Sequence, residues 1–441
     1  MTRLADITTV IVGGGACGVN LGLRLGPSSS LVLEQGVLFQ AWNKDRWDDF
    51  AFNTPLAWNG LYGQSPVEEG TSFRDQIRIW REYVDDDQKL NYQEGHTVTS
   101  VERLPPTTST SYRFRVTVKD NQSTYSIDCI NVVCCSGENA IPKLPAVAAS
   151  VPSSILSIHS KHYKGPHQFH STNTQQQSIL VVGSGQSGCQ IAQDLIRKGK
   201  RVTLATSAVA GCFFSLYGRH LFWWAQQIGF MDMSRDKLAL LPDGDARRYA
   251  AKPVTGSGGP ISIFSLHRQG ALIVGGVDSI RDGNTLVLKP NRPANAEKAL
   301  TGYNDFVANF VGWYDKQPED VQATLCLDPD DTLPEPEWEP VPEIVDEIGP
   351  TELSLDDYQG IIWCTGYRSA VQSYLKIPEA LETDFDDRSG SPCTATSFSV
   401  PGLYYSGFPW TPYGVSDILG GFERDQTNLI EHMTSTAVES S

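Results

Sequence analysis

Two short stretches share the glycine spacing G-x-G-x-x-G: "VIVGGGACGV" at 10–19 and "LVVGSGQSGC" at 180–189. Each follows an apolar run and opens a helical pattern. In the first, Gly13 permits the tight bend, Gly15 lets backbone approach a pyrophosphate, and Gly18 lets helix and strand pack closely. Gly14, Ala16 and Cys17 complete that turn, and phosphates would rest on the free N–H groups of the helix start. The next strand ends at Glu34 and Gln35. Glu34 falls about 20 residues beyond the first glycine, where an acid accepts ribose hydroxyls.

The second turn consists of Gly183, Ser184, Gly185, Gln186, Ser187 and Gly188. Its following strand ends "VTLATS", with no acid at Ala205–Ser207. An acid there would select the free ribose of NADH and repel a 2′-phosphate, so its absence points to NADPH. Arg219, in "LYGRH", is a candidate for that phosphate, and it equally fits a plain surface arginine. Two cradles predict two dinucleotides. A nicotinamide would donate hydride to a flavin, and the protein would position the two rings.

The elements around the turns read as α/β. Val10, Ile11 and Val12 form a continuous apolar strand, as expected when helices cover both faces. The first helix carries Val19, Leu21, Leu23 and Leu25 and is predicted to stop at Gly26. Residues 73–84 read as a helix, and Tyr92–Val101 and Ser111–Val118 as strands. In the second unit Ile191, Ala192, Leu195 and Ile196 make a helical stripe. The acidic, proline-rich run 328–348 reads as a surface excursion. "YQGIIWCTGY" reads as a buried strand ending in glycine, and "GVSDILGGFERDQTNLIEHM" as a closing helical tail.

At 441 residues the chain has room for two or three domains. Its net charge of −16 disfavours nucleic-acid or anionic-membrane partners. No apolar run approaches the ~20 residues of a membrane span. A strand beginning by Thr8 leaves no room for a cleaved signal. Nine scattered cysteines without C-x-x-C fit a reducing compartment, so a cytoplasmic location is expected. Cys134 and Cys135 read as core thiols. The pairs His159/His162 and His167/His170 share H-x-x-H spacing, but "YKGPHQ" breaks any helix that would align them, so no metal is expected.

This layout resembles the flavin-containing monooxygenases and their class B relatives. Beyond the first turn and Glu34, the resemblance rests on "QAWNKDRWDDFAFNTP", "GHTVTSV", "CCSGENAIPKLP", "IIWCTGYRS" and "GLYYSGFPW". It implies two Rossmann-like domains in a glutathione-reductase-like plan, with an NADPH domain inserted into an FAD domain. The expected boundaries are 1–150 and 346–441 for FAD and 151–345 for NADPH. It implies that Trp42 borders the flavin and that Val98 reads adenine through its backbone. Gly137 and Gly366 mark the two crossovers. Gly414, Val415 and Ser416 would precede a final helix facing the flavin. The family motif F-x-G-x-x-x-H-x-x-x-(Y/F) survives at His159 and Tyr163; Ser153 and Ile155 replace its Phe and Gly.

The implied chemistry is reduction of FAD by NADPH and formation of a C4a-(hydro)peroxyflavin with O2. One oxygen atom then passes to a small substrate, at nitrogen or sulfur. Baeyer–Villiger oxygenation of a ketone, to which Tyr163 is mildly opposed, is an alternative, as is an NADPH oxidase. A disulfide reductase would need a redox cysteine pair that the spacing lacks. Asn53 and Thr54 stand beside the flavin by position, and Asn53 equally fits a turn before Pro55. Phe50, Phe52, Trp58, Tyr62, Trp410 and Tyr413 could line an apolar pocket or belong to the core.

Overall fold

The computed structural model describes residues 7–65, 67–68, 70–105, 111–169, 178–242, 244, 252–256, 258–325, 327 and 335–438. The same plan is built twice. The first parallel sheet has Thr9–Val12 at its centre, flanked by Ser30–Glu34 and Asn131–Cys134, with Tyr92–Glu94 and Leu403–Tyr405 outside. The second has Ser178–Val182 at its centre, flanked by Arg201–Ala205 and Tyr358–Trp363, with Leu272–Val274 and Leu156–His159 outside. Each sheet is accompanied by a three-stranded antiparallel sheet, Thr97–Arg103 with Phe114–Lys119 and Thr124–Cys129, and Val277–Arg281 with Thr285–Leu288 and Glu352–Ser354.

Every side chain of the strand Thr9–Val12 is buried. In Ser178–Val182 only the first residue is not. That explains why both read as uninterrupted apolar runs. The helix Ala16–Leu25 ends at Gly26, whose φ of 83° is costly for any residue with a Cβ. The helix Phe73–Asp85 is capped by Ser72, which accepts from the Asp75 N–H at 3.1 Å.

Four expectations are corrected. The predicted strand Tyr92–Val101 is broken at Gly95, with φ of 72°. Its first part joins the parallel sheet and the remainder the antiparallel one. The strand Tyr358–Trp363 lies in the second sheet, not in the first domain as a boundary at 346 implied. The chain crosses back after it, where Tyr367–Arg368 pairs with the outgoing Ile141–Pro142. The acidic run is not all excursion. Trp338 and Ile344 are buried, Trp338 stacks on Tyr303 with centroids 4.9 Å apart, and the Glu335 carboxylate accepts from Phe214 and Ser215 N–H groups. Residues 328–334 lie outside the described residues. The closing tail becomes helical only at Phe422, because the Gly420–Gly421 pair and a short turn precede it.

Several helices among the described residues escaped the sequence reading, and two of them pack the second lobe. Arg292–Tyr314 buries Ala296, Ala299, Tyr303 and Phe310, spaced by three, four and seven residues along one helical face. Ile263–Arg268 is set by a capping box between Ser262 and Ser265.

Candidate functional site

The first glycine turn is shut on three sides and open on one. A Cβ on Gly13 would stand 2.6 Å from the Cys135 carbonyl oxygen, and one on Gly18 would stand 2.0 Å from the Gly13 oxygen. A Cβ on Gly14 would meet Leu38 and Glu34. At Gly15 a Cβ would meet nothing within 4 Å. The open side is where backbone N–H groups at the start of the helix Ala16–Leu25 can reach an anion.

Glu34 closes the rim. Its carboxylate accepts the Gly14 and Gly36 N–H groups, each at 2.8 Å, and is only 6% exposed. Burial pushes its pKa above the usual glutamate value, and the two N–H donors oppose that shift. Gln35 beyond it is exposed. The strand holding Val98 starts beside this rim, since His96 N–H donates to the Glu34 carbonyl at 2.9 Å. Cys17 is held below the ordinary thiol range by hydrogen bonding from Cys135, against burial, and Ser406 lies 3.2 Å from its sulfur.

The second turn repeats this shape. A Cβ on Gly183 would sit 2.5 Å from the Cys364 oxygen and one on Gly188 would sit 1.7 Å from the Gly183 oxygen; at Gly185 there is open space. Gly137 and Gly366 are matched too, with φ of 71° and 84°, two residues after Cys135 and Cys364. The difference lies at the rim. Ser184 N–H donates to the Ser207 hydroxyl at 3.2 Å, where Gly14 meets a carboxylate. A neutral hydroxyl leaves room for an additional phosphate without repelling it. Arg219 donates to the Leu325 carbonyl at 3.3 Å and lies over the Trp223 ring.

Asn53 reaches across to the helix that opens at the second turn. Its Oδ1 accepts from Gln190 Nε2 at 3.0 Å and from Gln186 Nε2 at 3.4 Å. The Gln186 oxygen in turn accepts the Thr255 N–H at 3.1 Å. Thr54 is committed differently. Its hydroxyl donates to Asn59 Oδ1 at 2.5 Å, and the Asn59 carbonyl accepts from Gln76 and Trp80. Thr54 therefore anchors the loop.

The six aromatics do not form one wall. Phe50 and Phe52 pack with Phe73, and Phe52 also meets Trp42 and Trp80. Trp58 packs on Phe222. Tyr413 lies under the Arg424 guanidinium, 3.4 Å from its carbon to the ring centroid. Trp410 lies against Gly414, and Tyr62 is largely exposed. Gly414, Val415 and Ser416 form a turn tied by Tyr413 N–H to Ser416 Oγ, six residues ahead of the final helix.

Contacts across the lobes surround this turn. Gly414 N–H donates to the Met233 carbonyl, and Arg235 N–H to that of Pro412. Lys252 lies between Glu138, at 3.1 Å, and Asp417. At the crossovers His159 Nε2 meets the Gly366 carbonyl at 3.0 Å while its Nδ1 accepts the Lys161 N–H. Burial depresses the His159 pKa to about 4, matching the neutral tautomer these bonds require. Tyr163 donates to Asp194 at 2.6 Å. Among the described residues no three His, Cys, Asp or Glu side chains converge as a metal site; His170 lies outside them. Nor is any described helix long and apolar enough to cross a membrane.

A pyridine nucleotide-disulphide oxidoreductase model matches residues 10–210. Over its full length the chain is similar in fold to a mutant flavin monooxygenase from Stenotrophomonas maltophilia. That likeness has a TM-score of 0.60 and 16% identity, covering 98% of this chain and 99% of the other. The chain shares the fold of that flavin monooxygenase. The ornithine N-hydroxylase of Kutzneria sp. 744, in a structure with reduced FAD, NADP⁺ and L-ornithine, gives a TM-score of 0.59 at 16% identity, covering 98% and 100%. An uncharacterized oxidoreductase, CzcO of Bacillus velezensis, is 25% identical over 237 residues, 52% of this chain. The chain spans 64% of that relative's length.

Proposed function

We propose that the chain is an FAD- and NADPH-dependent monooxygenase that places one oxygen atom from O2 on nitrogen or sulfur of a small apolar organic substrate. The observation that carries this reading is the duplicated cradle. Gly15 and Gly185 are each open in a turn otherwise packed against backbone. FAD takes the first, with Glu34 on its ribose and Val98 near adenine. NADPH takes the second, with Ser184 and Ser207 offering no negative charge to its 2′-phosphate. The inserted domain then runs through the strand Tyr358–Trp363.

FAD, when bound, supplies hydride acceptance and the activation of oxygen. The chain's own residues supply position. The helix starts hold the pyrophosphates, the paired crossovers and the His159–Gly366 bond set the lobes, and the turn at Gly414–Ser416 closes the flavin edge. Asn53, its oxygen already engaged, offers a neutral N–H to the reacting centre without adding charge. Support for attack on nitrogen or sulfur comes from Tyr163. The N-hydroxylase likeness agrees with it.

The test is anaerobic reduction followed by oxygenation. Protein reconstituted with FAD should bleach faster with NADPH than with NADH. Admitting air should convert amines or sulfides to oxygenated products in near-stoichiometry with NADPH. Failure to retain FAD overturns the reading. Peroxide in place of product across amines, sulfides and ketones replaces it with an oxidase.

A further inference from the structure

We propose that Gln186 and Gln190 form an amide relay that lets occupancy of the second cradle set the orientation of Asn53. The proposal rests on the two-dinucleotide reading and adds residues to it. Gln186 is the first residue of the helix Gln186–Arg197, inside the turn that receives the pyrophosphate, and Gln190 follows one helical turn later.

The direction of each amide is fixed by one backbone donor. Thr255 N–H can only donate, so it meets the Gln186 oxygen, at 3.1 Å. The Gln186 nitrogen must then face Asn53, which presents its oxygen. Gln190 donates to the same oxygen at 3.0 Å. Both lone-pair positions of Asn53 Oδ1 are filled, and its Nδ2 has no partner among the described residues. On the two-dinucleotide reading, that N–H group is the donor left for the flavin. Neither glutamine is a catalytic residue; both position one.

The 3.4 Å bond from Gln186 is long, and the 3.0 Å bond from Gln190 is short. Gln190, only 7% exposed, is thus the fixed support. Gln186, half-buried at the cradle, is the member a dinucleotide can move. A pyrophosphate that draws the Gln186 amide toward itself would leave Asn53 on the single bond from Gln190, about which its amide can swing.

Gln190→Glu keeps size and removes the donor. A carboxylate faces the Asn53 oxygen, and the amide turns over to satisfy it. Gln190→Met keeps length and packing without polarity and serves if the acid variant fails to fold. FAD-loaded protein is titrated with NADP⁺ while the visible flavin spectrum is recorded. NADP⁺ affinity is measured separately by equilibrium dialysis. We expect NADP⁺ affinity within about threefold of the parent, with at least a threefold smaller flavin difference spectrum. The ratio of product to NADPH should fall at least threefold. Unchanged spectra and ratio in both variants, with NADP⁺ bound, overturn the relay and leave the two-dinucleotide reading intact. Parent protein that binds FAD but no NADP⁺ overturns both.

Discussion

Glu34 accepts the Gly14 N–H at 2.8 Å across the mouth of the first turn. The same carboxylate accepts Gly36 and is almost wholly buried. It can lose neither partner cheaply, because a buried donor without an acceptor costs roughly 1–3 kcal/mol. Glu34→Gln places an NH2 against one of these N–H groups and withdraws charge from the ribose. FAD affinity should fall at least tenfold, measured by apoprotein titration with FAD. An unchanged affinity removes Glu34 from the site.

The glycines of one turn should separate binding from stability. At Gly185 a methyl group has free space and the φ of −73° suits alanine. Gly185→Ala should leave thermal stability within about 0.5 kcal/mol, as surface changes do. NADP⁺ affinity should drop at least tenfold, since the methyl stands where the pyrophosphate approaches. Gly188→Ala drives its Cβ to within 1.7 Å of the Gly183 oxygen and should cost several kcal/mol of stability. Calorimetry on both variants, with dialysis on the first, checks the contrast.

Ser207 stands opposite Ser184 as Glu34 stands opposite Gly14. Ser207→Glu should therefore restore the acid that ribose recognition uses and repel a 2′-phosphate. The ratio of kcat/KM for NADPH to that for NADH is expected to fall at least tenfold. Retention of the parental ratio would show that the phosphate lies elsewhere, and Arg219 would return as its partner.

His159 predicts a pH dependence. Its pKa is about 4 in the fold, lowered by burial, against 6.5 in the ordinary state. The unfolded chain binds this proton first, so stability is full above pH 6.5 and declines as pH falls toward 4. Asp425, raised to about 6 by burial, acts oppositely over the lower part of that window. The variant isolates the histidine. His159→Gln keeps a donor for the Gly366 carbonyl and should flatten the decline between pH 6.5 and 4, read by urea unfolding. Parallel slopes in both proteins would contradict the assignment.

Both cradles were legible because the chemistry is local. A bend, a close approach and a helix start fall within a few consecutive residues, and only glycine tolerates them. The acid at Glu34 and its absence at Ala205–Ser207 were legible for the same reason. The helix stop at Gly26 and the buried thiols Cys134 and Cys135 also followed from neighbours in sequence. The helix Arg292–Tyr314 was missed because its apolar stripe is built of alanines and well-spaced aromatics. The burial of Trp338 was missed because an acidic, proline-rich context outweighed one aromatic.

What the sequence by itself determined is the existence of two glycine turns of the same shape and the type of residue at each rim, since those depend on backbone geometry set within a dozen positions. Only the tertiary structure decided which sheet the strand Tyr358–Trp363 enters, that the aromatics divide among separate packing groups, and that Asn53 meets Gln190 across 137 positions of chain. Such contacts are chosen by how whole sheets pack and cross, and no short stretch of residues carries that choice.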